Sequence, residues 1–134
     1  MNKKLQEKLF KKYPEIFANT DKPFSQSLMG FGICCEDGWY WLIEQLCSVL
    51  QKGTDKYEDP QAVAFQVKQK WGGLRFYVDG ANDKQRAMIS LVENMSLSIC
   101  EDCGTMKNVK LVGKSWLRTL CEDCEEKNKN ESPQ

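Results

Sequence analysis

Apolar and polar positions alternate with different periods along the chain, and those periods predict the elements. Leu5, Leu9, Phe10 and Tyr13 share one face of a helix over residues 3–13, with lysine and glutamine elsewhere, until Pro14 interrupts the pattern. Residues 18–36 are rich in turn formers with no sustained period and read as a loop across the core. Asp37 is placed to N-cap a central core helix whose stripe is Trp39, Leu42, Ile43, Leu46 and Leu50. Trp39, Tyr40 and Trp41 are consecutive, so at least one of them must reach the surface or a cleft.

After the polar residues 52–60 the period changes to two. Val63, Phe65 and Val67 alternate with Ala64, Gln66 and Lys68, and Leu74, Phe76 and Val78 repeat the pattern. Trp71-Gly72-Gly73 between them predicts an antiparallel hairpin, which Asp79-Gly80-Ala81-Asn82 ends. From Asp83, the positions Ala87 or Met88, Leu91, Val92, Met95 and Ile99 predict a third helix that runs into the first cysteine pair. The expected fold class is α+β, with helices packed on a small antiparallel hairpin.

Cysteine spacing adds a metal to this picture. Cys100-x-x-Cys103 and Cys121-x-x-Cys124 are separated by 17 residues. Each pair can bind one edge of a tetrahedron, and the gap is long enough for a hairpin. Gly104 permits a tight knuckle, residues 106–112 and 115–120 can pair about Gly113-Lys114, and acidic residues after Cys121 suit a helix N-terminus. Knuckle, hairpin and helix together predict a C-terminal treble-clef-like zinc finger. A rubredoxin-like iron site uses the same ligands, but zinc is the commoner structural occupant. Four cysteine ligands leave no open position, so the expected Zn2+ is structural. The organisation expected is a helical and hairpin core over residues 1–99, a finger packed on it over residues 100–126, and a disordered tail over residues 127–134.

Composition narrows the function classes. The 134-residue chain has 19 basic and 19 acidic residues, so no global positive field attracts nucleic acid or anionic lipid. No run approaches the ~20 apolar residues of a membrane span and no secretory signal is evident, so a cytoplasmic protein without membrane attachment is expected. Histidine is absent, which removes the usual general base and the His-paired nucleophiles. With no nucleophile–base pair or phosphate-cradling glycine motif, no catalytic residue is assigned and an enzyme is not expected. Of the seven cysteines, Cys47 reads as a small buried residue, while adjacent Cys34 and Cys35 have only a weak claim to reactivity.

Two segments are candidates for partner or ligand binding. Lys107, Lys110, Lys114, Trp116 and Arg118 could form a basic, aromatic face for nucleic acid, although the acidic residues of the same finger cancel their charge. Trp71, Arg75 and Tyr77 concentrate interface-favoured side chains around the hairpin and could take a protein or a small nucleotide-like ligand. A structural alternative has Trp71 capping the core and Arg75 pairing with an acid such as Glu44.

The conjunction of Glu36-Asp37-Gly38-Trp39, the segment Trp71-Gly72-Gly73-Leu74-Arg75-Phe76-Tyr77 and the motif Cys103-Gly104 with Trp116-Leu117-Arg118-Thr119-Leu120-Cys121 resembles a family. It is similar to small, largely uncharacterised proteins encoded in bacteriophages and prophages, over roughly residues 30–124. The resemblance carries no reaction or catalytic residue. It implies a phage-related protein in the cytoplasm of a bacterial host, acting by binding a host or phage protein, for example as a modulator of host defence. Oligomeric state is open at this point.

Overall fold

The apolar stripe of the central helix organises the molecule. In the computed structural model, which describes residues 1–131, α2 spans Tyr40–Tyr57 and buries Leu42, Ile43, Leu46, Cys47 and Leu50. A 3-10 turn, Asp37–Trp39, precedes it and buries Trp39, whose indole N–H donates to the Ile99 carbonyl at 2.8 Å. Tyr40 is half-buried and Trp41 projects outward. Asp37 does not cap α2, because its carboxylate accepts from the backbone N–H and side-chain amide of Asn2, both at 2.8 Å. Asn2 in turn N-caps α1, Lys3–Lys12. The stretch expected to be a polar connection from residue 52 is helical to Tyr57. There Glu58 takes a left-handed conformation that ends α2.

The loop expected over residues 18–36 is more built than its sequence shows. It delivers Met29, Ile33 and Cys35 to the core, and β1, Ile33–Cys34, pairs in parallel with β2, Val63–Lys70. A two-residue strand carries no readable period. β3, Gly73–Asp79, pairs antiparallel with β2, giving the order β1-β2-β3. Ala64, Val67, Leu74, Phe76 and Val78 are buried. A register shift between Ala64 and Gln66 places Phe65 beside Tyr77, ring centroids 5.8 Å apart, so Phe65 is not the inward residue its alternation predicted.

α3, Asp83–Met95, opens with a reciprocal Asn82–Gln85 capping box. Its buried positions are Gln85 and Ile89, with Met88 and Val92 partly packed, whereas Leu91 and Met95 are exposed. The expected stripe was thus rotated on the helix. Gln85 is fully buried because its side chain is bonded to the Asn82 N–H and the Pro60 carbonyl, which removes the cost of burying an amide. α3 also covers the outer edge of β3. Ser96 accepts from the Leu74 N–H at 2.9 Å and Glu93 from the Phe76 N–H at 2.8 Å, so the edge offers few free donors.

β4, Val109–Val112, and β5, Arg118–Cys121, form a second antiparallel pair. α4 follows as Glu122–Glu131. Residues 127–131 are therefore helical rather than disordered. Asn128 bonds Asp102 at 3.0 Å and Lys129 pairs with Glu125 one turn earlier. The expected tail residues 132–134 lie outside the described residues. Among the described residues the result is an α+β fold with four α-helices, two small sheets and a cysteine cluster at its C-terminal end. Among the described residues no helix is long and apolar enough to cross a membrane.

The β2–β3 turn contains one costly residue. Trp71 and Gly72 have φ of 53° and 83°. Positive φ at both positions suits the twist of a two-residue hairpin but disfavours a bulky aromatic. Trp71→Asn is expected to stabilise the fold by about 1 kcal/mol, raising Tm by roughly 3–4 °C. An unchanged or lower Tm would show that the indole's contact with Lys70, whose Nζ lies 5.1 Å from the ring centroid, outweighs the strain.

Candidate metal centre and the surfaces around it

The four paired cysteines converge although 17 residues separate the pairs. Cys100 leaves the core after a 3-10 turn, and residues 100–105 close into a tight loop. In it the Cys100 N–H donates to the Thr105 carbonyl at 2.8 Å and the Gly104 N–H to the Cys100 carbonyl at 2.9 Å. Gly104, at φ 82°, supplies the left-handed residue that this loop requires. Cys121 ends β5 and Cys124 lies in the first turn of α4, where its backbone N–H points at the Cys121 sulfur, 3.4 Å away.

All four sulfurs lie within 4.8 Å of one another, and Cys103 and Cys121 are 3.8 Å apart. A tetrahedron with metal–sulfur bonds of about 2.3 Å has edges of about 3.8 Å, so the donor set and spacing fit a four-thiolate metal ion. Cys100, Cys121 and Cys124 are buried and only Cys103 is exposed. Burial works against ionising Cys100, but backbone N–H groups of Cys121, Cys103 and Asp102 outweigh it and lower its pKa. Burial raises Cys103 and Cys124, and hydrogen bonds with neighbouring thiols add to the rise for Cys124. A divalent metal bound here would displace thiol protons.

A polar joint locks this cluster to the core. The Glu101 side chain is 3% exposed, accepts from the Glu36 N–H at 3.0 Å, and pairs with Arg118 at 3.2 Å. Arg118 also reaches Asp102 at 2.5 Å. Burial pushes the Glu101 carboxyl above its usual range against the pull of Arg118. Burial opposes the Arg118 charge, yet bonding to Asp102 and the field of Glu101 hold its pKa above the ordinary value. Thr119, fully buried, donates its hydroxyl to the Gly72 carbonyl at 2.6 Å, tying β5 to the hairpin turn. On the other side, the Gly38 N–H donates to the Glu101 carbonyl at 2.7 Å. A side chain at Gly38 would collide with the backbone carbonyls of Cys100 and Glu101.

The structure separates the binding candidates. Arg118 belongs to the joint rather than to a free basic face. Lys110 lies 3.9 Å from Glu125, Lys107 stands beside Cys103 in a small cleft, and Lys114 is exposed. Trp116 and Trp71 are each 70% exposed, so Trp71 does not cap the core. Arg75 does not pair with Glu44, whose carboxylate is taken by Lys12 at 2.6 Å and by the Tyr13 hydroxyl at 2.7 Å. Arg75 instead donates to the Leu74 carbonyl and shares the outer sheet face with Tyr77.

Lys68 belongs by sequence to the same basic, aromatic hairpin segment, although the sequence assigns it to no site. It stands directly opposite Arg75 on the central strand, with Cys34 in register on its other side. Among the described residues neither cation enters an ion pair. Lys68 also lines a groove of about 570 Å³ together with Phe31, Cys34, Gln66, Trp116 and Arg118. Only strand register brings Lys68 and Arg75 together, and only the fold brings Trp116 to the groove that Lys68 lines, since the three are far apart in sequence or on different strands. The chain matches no protein-family model, and no curated protein or solved structure is significantly similar to it.

Proposed function

We propose that this chain is a small, non-enzymatic interaction protein whose C-terminal unit is a treble-clef-like finger ordered by one zinc ion at Cys100, Cys103, Cys121 and Cys124. Four thiolates complete tetrahedral coordination and leave no position for a reacting water, so the metal's role is to shape the surface. The observation that carries the reading is Trp71. It is 70% exposed at a positive-φ turn that Thr119 braces from the finger. Strain kept at a solvent-exposed indole points to recognition, and tryptophan is a favoured anchor of protein interfaces. The partner in this reading is a protein of the bacterial host or of a phage. The nucleic-acid alternative is weaker, because Arg118 is consumed by Glu101 and Asp102 and Lys110 faces Glu125.

A photo-crosslinking residue at position 71 or 116, introduced in cells of the bacterial host, tests this. A discrete protein adduct is expected from both positions, and it should disappear when Cys103→Ser removes the metal. If neither position gives an adduct above that from a control site such as Lys52, the interaction reading fails.

A further inference from the structure

Lys68 occupies the central strand of its sheet, so protection of an exposed edge, one role of strand lysines, does not explain it. Its direct cross-strand neighbour is Arg75, a like-charge pairing that destabilises a sheet. Lys70 follows on the same face, two residues along, and none of the three is in an ion pair among the described residues. The fold carries this unfavourable row without an internal counterion, and an anionic partner would supply one.

The groove next to the row gives the partner a second feature. Phe31 is 64% exposed and is braced by stacking on Phe24 at 4.4 Å, and Trp116 lines the same groove. Glu36 and Glu101 also line it, with Glu101 already engaged by Arg118. A nucleic-acid strand, with a phosphate at every residue, would bring charge against Glu36. A peptide places carboxylates only where cations lie and apolar side chains where aromatics lie. We propose that the outer face of the β1-β2-β3 sheet and the groove between Phe31 and Trp116 bind an acidic peptide segment of a partner protein. Its carboxylates lie on Lys68 and Arg75, and an aromatic or aliphatic side chain enters the groove. This rests on the reading of the chain as a protein-interaction module and names the chemistry of its partner.

The test is selection from a random dodecapeptide display library on the immobilised, metal-loaded protein. The same selection is run on K68E/R75E, which keeps a like-charge pair and so leaves that folding cost in place. Enrichment of peptides combining Asp or Glu with an apolar residue is expected. The leading synthetic peptide should bind K68E/R75E and W116A each at least about tenfold more weakly. The double variant's Tm is measured to show that it folds, and if it does not, K68Q and R75Q singly replace it. Selection without acidic enrichment, no selected peptide, or equal binding to the charge-reversed protein overturns the proposal. So does a thymidine dodecanucleotide that outcompetes the peptide, which would assign the face to nucleic acid. Protein adducts from position 71 alongside a failed selection would sink only this inference, whereas loss of both would sink the interaction reading as well.

Discussion

Cys121→Ser is expected to abolish stoichiometric metal binding and to unfold at least the segment from Cys100 to Glu131. Cys121 is buried at the end of β5, and its sulfur receives the Cys124 N–H as well as facing Cys103. Apparent binding free energies at structural zinc sites are on the order of 10 kcal/mol, far beyond what a four-residue hairpin pair and one polar helix could replace. Native mass spectrometry of protein purified without added metal should show one zinc per wild-type chain and none in the variant. The melting transition should fall by well over about 10 °C. Because the metal replaces protons on the thiols, acidification should release zinc and restoring neutral pH should favour rebinding. Equal zinc content in wild type and variant would remove these cysteines as the ligand set.

Arg118→Met is expected to cost about 3 kcal/mol, or roughly 10 °C in Tm, because it strands the Glu101 carboxylate without its counterion in a site 3% exposed. The loss should be specific to the pair. Adding Glu101→Gln removes the buried charge and should recover most of the stability, a coupling that a double-mutant cycle reads directly. Had Arg118 acted as a free nucleic-acid contact, Arg118→Met would leave Tm unchanged and the second substitution would rescue nothing. The same pair explains why Gly38, Thr119 and Gly72 matter together. They bring the loop over residues 100–105, β5 and the hairpin turn close enough for backbone carbonyls to meet donors, so loosening the cysteine cluster should also loosen the turn that presents Trp71.

Several elements were legible in the sequence because local periodicity and spacing carry them. The stripe of α2, the alternation of β3, the Trp71-Gly72 turn and the pairing of Cys100 and Cys103 with Cys121 and Cys124 all follow from residue type at a fixed offset. Errors arose where a residue's partner was distant in sequence. Asp37 looked like a helix cap but bonds Asn2, 35 residues earlier. Gln85 lies outside the apolar stripe expected for α3, yet it is fully buried and bonded to the Pro60 carbonyl, and the buried face of α3 is turned away from Leu91 and Met95.

For the site, the sequence by itself singled out the four cysteines that converge, because C-x-x-C spacing needs no knowledge of the rest of the chain. Tertiary structure alone decided which charges remain free. Arg118 is three residues from Cys121 in the chain, but its role depends on Glu101 and Asp102 across the finger. Lys68 and Arg75 become one patch only through the register of β2 against β3. Electrostatic function is a property of distances between groups, and those distances are set by strand pairing and burial rather than by position along the sequence.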